Sequence, residues 1–181
     1  MPQRVFDFDS MSPARPRLRQ LVDWRSAIFA GVVGGIVLLV LEMMFTKSVV
    51  GSPWVFPRLL AAVVLGPKVL PPPATYDVGL LAAALLVHLP LSIAFSCLIA
   101  FVLHKWGLVV GILGGAVLGM CLYWINFGTV FNLVSWFAPM KSAWTMWAHV
   151  VFGAICGGTY ELLEKERFVV ETPVEPYERS I

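Results

Sequence analysis

The sequence predicts an all-α integral membrane protein, a four-helix bundle with a short interfacial or re-entrant helix after the first span. Three observations carry this. Of 181 residues, 59% are hydrophobic and only 13% are charged, with a mean hydropathy of +0.81, whereas a soluble domain carries about a quarter charged residues. The apolar residues fall in long blocks separated by short polar or proline-rich stretches. The clearest block, Gly107 to Ile125, is nineteen residues long without a charge, close to the ~20 that a helix needs to cross the hydrocarbon core.

Residues 1–25 form a basic cytoplasmic arm that holds Arg4, Arg15, Arg17, Arg19 and Arg25. It has no apolar core of the signal-peptide kind, so the first apolar block is expected to insert as an uncleaved anchor. The membrane domain is expected over 26–163, with spans at about 27–45, 78–103, 107–125 and 143–163. Ser26 is placed to cap the first span, Asp77 the second and Ser142 the fourth. Between spans one and two, Trp54 to Gly66 is apolar but only thirteen residues long, too short to cross, and Pro57 suits the first turn of a short helix. Pro90 lies inside span two and is expected to kink it near His88, freeing the carbonyl of Leu86. His104-Lys105-Trp106 is a tight turn that makes spans two and three antiparallel neighbours. The aromatic loop 126–141, with Trp136 and Pro139, is expected at the membrane interface. Residues 164–181, with Pro173, Pro176 and Arg179, read as a polar cytoplasmic tail.

Basic residues set the orientation. The side that holds both termini and the 104–106 turn carries nine Lys/Arg, against four on the other: Lys47, Arg58, Lys68 and Lys141. The positive-inside rule then puts both termini in the cytoplasm.

Glycines dominate the expected helix contacts. Gly107, Gly111, Gly115 and Gly119 are spaced by four and share one stripe, and Gly31/Gly35 and Gly153/Gly157 repeat the spacing. Missing side chains let a second backbone approach. These stripes exceed what one packing spine requires, which leaves one for a partner helix. There is also a weak internal repeat. Gly31-Val-Val-Gly-Gly matches Gly111-Ile-Leu-Gly-Gly, each copy is followed by Trp-x-x-Pro, and each of those is followed by a span with a histidine.

Four ionisable residues lie in or against the spans: Glu42, Arg58, His88 and His149. A charge at mid-helix costs about 2.5–3.5 kcal/mol on insertion scales, so such groups face the bundle interior and pair. At helical rise, His88 lies about 15 Å and His149 about 10 Å from the outer ends of their spans, so all four can meet in the outer half of the bundle. The plainer expectations are an ion pair between Arg58 and Glu42, histidines bonded to carbonyls such as that of Leu86, and a cluster packed dry against the glycines. Cys97, Cys121 and Cys156 show no metal-binding or disulfide spacing. No nucleophile-base set, P-loop or dinucleotide fingerprint is present, so no enzyme activity, catalytic residue or metal site is expected. A net charge of +2 leaves no nucleic-acid footprint.

The segment S-P-W-x-x-P-R-L-x-A-A-x-x-L-G (Ser52 to Gly66), Leu86-x-His88, the Gly-rich span and Trp147-Ala-His149 together resemble a family of short four-helix bacterial inner-membrane proteins with no established activity. Some members carry an automatic sodium:proline symporter label. Transporters of that type are far longer, and no unwound-helix sodium site is visible here. The resemblance covers nearly all of 27–163 and implies the fold and the bacterial inner membrane, with no catalytic residue.

The function expected first is a structural or accessory subunit that contacts the lipid bilayer and other membrane subunits or a second copy of itself. The alternative is a small oligomeric transporter or channel for a cation or proton, built on Glu42 and the histidines. Behind both stands axial ligation of haem b by His88 and His149; otherwise no cofactor is expected.

Overall fold

The computed structural model describes residues 17–129 and 134–171. The expectations for Arg4, Arg15, Pro173, Pro176, Arg179 and the middle of the 126–141 loop fall outside the described residues. The chain is mostly helical and divides into two units, residues 22–165 and the two ends of the chain.

In the helical unit, α1 (Trp24–Val50) is longer than the expected 27–45. Its cap is Asp23, not Ser26: Asp23 Oδ1 accepts from the backbone N–H of Arg25 at 3.1 Å and of Ser26 at 3.4 Å. α1 ends at Gly51, whose φ of 81° suits a residue without Cβ. α2 (Val55–Leu65) is the expected short helix, and it buries Phe56, Pro57, Leu60, Ala61 and Ala62. α3 runs Val78–Leu103 without interruption through Pro90, and Asp77 caps it through the N–H of Leu80 at 2.9 Å. α4 spans Gly107–Gly128. A 3₁₀ segment, Ser135–Met140, follows it. α5 spans Ala143–Leu163, with Ser142 accepting from Thr145 N–H at 3.1 Å.

Helices α1, α3 and α4 are each long and apolar enough to cross a membrane. Their outward faces are apolar too. Phe29, Ile36 and Val40 on α1, Leu86 and Leu98 on α3, and Val109, Leu113 and Val117 on α4 are all exposed. Water would oppose such a surface and a bilayer accepts it, so length, composition and exposed apolar faces all suit a membrane protein.

Inside, α1 packs on α3 and α5, and α4 packs on α5, while α3 and α4 touch little. Glycines set the closest approaches. A Cβ on Gly115 would overlap the carbonyl oxygen of Gly153, and one on Gly153 would overlap that of Gly115. A Cβ on Gly119 would meet the His149 carbonyl, one on Gly157 the Gly111 carbonyl, and one on Gly111 the Glu161 side chain first and then the Gly157 carbonyl. Gly31 and Gly35 face α3, where a Cβ would lie 2.6 Å from Ile93 Cα and 2.8 Å from Ser92 Cβ. Gly107 departs from the expected stripe. It has open space around it and a φ of 76°, so it serves the turn into α4 and no helix contact. The other stripe glycines are filled by the chain's own helices, which leaves no spare stripe among them for a partner.

The second unit holds a two-stranded sheet within the stretches that the sequence marks as basic arm and polar tail. β1 (Arg17–Gln20) pairs antiparallel with β2 (Phe168–Glu171), with Leu18 opposite Val170 and Arg19 opposite Val169. The consecutive valines favour an extended chain, but the two strands lie about 150 residues apart in sequence, beyond any local pattern.

Candidate functional site

At the end of the helical unit where α1 finishes and α5 begins, a partly open cavity of about 220 Å³ lies between α1, α3, α4 and α5, closed over by α2 and the 3₁₀ segment. Three of the four expected polar residues line it: Glu42 from α1, His88 from α3 and His149 from α5. All three are buried, and His88 packs against Gly35 as expected of a cluster set against the glycines.

Glu42 is 1% exposed. Its Oε2 accepts from the Thr145 hydroxyl at 3.2 Å, and its Oε1 has no hydrogen-bond partner. His88 Nε2 donates to the carbonyl of Gly35 on α1 at 2.8 Å. The missing side chain at Gly35 is what lets α3 come close enough for that bond. The carbonyl of Leu86, the expected partner, is not used. His149 Nδ1 donates to the Thr145 carbonyl one turn earlier, at 2.8 Å, and its Nε2 lies 3.4 Å from Asn126 Nδ2. A carbonyl oxygen can only accept, so each neutral ring carries its hydrogen on the nitrogen that faces the carbonyl. Ser92, also on the cavity wall, spends its hydroxyl hydrogen on the His88 carbonyl at 2.8 Å. Phe56 and Tyr123 flank the two imidazoles edge-on, with centroid separations of 6.3 and 5.8 Å.

Arg58 does not join the cluster. Its Nη1 donates to the carbonyls of Val69 at 3.2 Å and Pro71 at 3.4 Å, fastening α2 to the loop that follows. The expected ion pair with Glu42 does not form. Arg58 lies in the first turn of α2, and its side chain reaches the loop beyond the end of that helix.

Asn126 and Thr145 belong to the site and were not singled out from sequence. The signal for Thr145 was available, since it lies four residues before His149 and shares its helix face. Asn126 is the one amide in the described part of α4. Among the described residues no group of three or more His, Cys, Asp or Glu is placed to hold a metal ion.

At the opposite end of α1, Asp23 joins α1 to the exit of α5. Asp23 Oδ2 accepts from Lys165 N–H at 3.2 Å, Asp23 N–H donates to Tyr160 Oη at 3.2 Å, and the Ser26 hydroxyl lies 3.0 Å from both Asp23 Oδ2 and the Leu163 carbonyl. Burial alone would raise the Asp23 pKa. The hydrogen bonds from Lys165, Ser26 and Arg25 outweigh it and hold the carboxyl below its ordinary 3.8.

No protein-family model, curated protein or solved structure matches the chain in comparison.

Proposed function

We propose that the chain is a small multi-pass protein that carries a cation or proton through the cavity lined by Glu42, His88 and His149. The observation that carries this is the convergence of three ionisable side chains from three helices on one cavity, with the Glu42 carboxyl buried and half-satisfied. Ionisable groups inside membrane helices are costly to insert, and they mark ion and proton paths where they face a cavity. On this reading α5 is the fourth span. The basic residues support cytoplasmic termini, and the resemblance to short bacterial inner-membrane proteins supports that location. Helices α1 to α5 alone supply few walls for a full path, so assembly with further copies is part of the proposal.

Purified protein in liposomes should dissipate an imposed cation or proton gradient, and Glu42→Gln should abolish the flux. A monodisperse, folded preparation that carries neither ion would remove this reading. The accessory-subunit reading loses the spare glycine stripe that motivated it. It regains ground if a second protein co-purifies in mild detergent at native expression. Haem ligation has the least support, because His149 Nε2 already meets Asn126; a Soret band lost in both His88→Ala and His149→Ala would restore it.

A further inference from the structure

We propose that the cavity binds a monovalent organic cation with an apolar body, an alkyl- or aralkylammonium, with its charged nitrogen on Glu42. The inference rests on the proposed function and adds to it the chemical class of the ligand. The first argument is charge. Glu42 is enclosed with one carboxylate oxygen unpartnered, and among the described residues no lysine or arginine lines the cavity. A buried carboxylate is stabilised by a positive partner, and the described residues supply none there.

The second argument is the balance of donors and acceptors. Most hydrogens on the wall are already committed: those of the histidines to Gly35 and Thr145, that of Ser92 to the His88 carbonyl, that of Thr145 to Glu42, and one amide hydrogen of Asn126 toward His149 Nε2. What remains is mainly acceptor capacity, led by the unpartnered oxygen of Glu42, beside one further amide hydrogen of Asn126. An anion or a carbonyl compound would find few donors, while an ammonium group finds acceptors.

The third argument is size and lining. Phe56, Phe95, Phe127, Phe137 and Phe152 surround the space, and aromatic faces attract a cation. A volume of about 220 Å³ exceeds the roughly 150 Å³ of an apolar cavity that accepts benzene, so a ring with a small ammonium group fits and a bare ion would leave the space unfilled. Of the lining residues only Val63 and Leu91 are exposed, at 48% and 51%. The mouth is therefore apolar and admits a ligand dissolved in the bilayer.

The test is equilibrium binding to the protein in lipid nanodiscs, with benzylammonium and its uncharged isostere ethylbenzene. The cation should bind roughly tenfold tighter than the isostere, and Glu42→Gln should remove that preference while ethylbenzene still binds. Equal affinity for the two compounds, or no saturable binding of the cation, overturns the proposal. The comparison on the unaltered chain decides by itself if Glu42→Gln does not fold. Flux separates this inference from the one beneath it. Saturable cation binding without flux removes transport and leaves the ligand class standing, whereas proton flux through a protein that ignores the cation keeps transport and overturns the ligand class.

Discussion

The two glycine-lined helix pairs look alike in sequence and differ in what faces the glycines. In α4/α5 glycines stand on both helices: Gly111, Gly115 and Gly119 lie close to Gly157 and Gly153, and at Gly115 and Gly153 the clash that a methyl would cause is backbone on backbone and reciprocal. In α1/α3 the glycines are on α1 alone, and Ser92, Ile93 and Ser96 face them. The second kind of seam leaves room for polar links across it. His88 reaches the Gly35 carbonyl and Ser96 donates to the Ala27 carbonyl, each at 2.8 Å. In α4/α5 the polar link, Asn126 to His149, lies past the glycine run at the cavity end. The same spacing of small residues thus makes a closed seam where glycine opposes glycine, and a polar, ring-bearing seam where serine and histidine oppose it. The cavity lies where the two pairs diverge, and each contributes a histidine.

That contrast can be broken by substitution. The largest effect is expected for Gly115→Ala, because the new methyl meets the Gly153 carbonyl, which is backbone and cannot rotate away. A loss of about 3 kcal/mol, at the upper end for overpacking, is expected in reversible unfolding in mixed micelles. Gly35→Ala should cost less, about 1–2 kcal/mol, since it meets a serine side chain, and Ser92→Gly should recover part of that loss in the double variant. Equal costs at Gly115 and Gly35, with no recovery, would erase the distinction between the seams.

The smallest effect gives a baseline outside both seams. Asp23→Ala removes the α1 cap and should cost about 1 kcal/mol. Because hydrogen bonds hold the folded Asp23 carboxyl below 3.8, its stabilisation is complete above that value and is lost as pH falls through the lower, folded value. Thermal unfolding of Asp23→Ala should therefore lose acid sensitivity relative to the parent chain. An unchanged acid profile would mean that the Asp23 junction contributes nothing to it.

Much of the fold was legible because its causes are local. Asp77 and Ser142 announce the starts of α3 and α5 through bonds to backbone three residues on, and the apolar blocks announce helices that a bilayer accepts. Local pattern misleads where a neighbouring residue holds the role. Ser26 has the capping chemistry, but Asp23 caps α1, and Gly107 has the stripe spacing, but it serves a turn. The polar site was legible only as a set of candidates. Arg58 carries the same signal as Glu42, yet it bonds the Val69 and Pro71 carbonyls at the far end of α2.

By itself the sequence determined that the chain is helical and apolar enough for a membrane, and which faces of α4 and α5 allow close approach. Those follow from composition and from residue spacing along a helix of fixed pitch. Tertiary structure alone decided that His88 takes the Gly35 carbonyl, that Glu42 and both histidines share a cavity, and that the stripe glycines in helix contacts are filled from within. The physical reason is that spacing fixes the angle of a side chain about its own helix but not the residue opposite. A glycine stripe records that something comes close, and only the packed helices show whether it is another glycine, a serine or an imidazole.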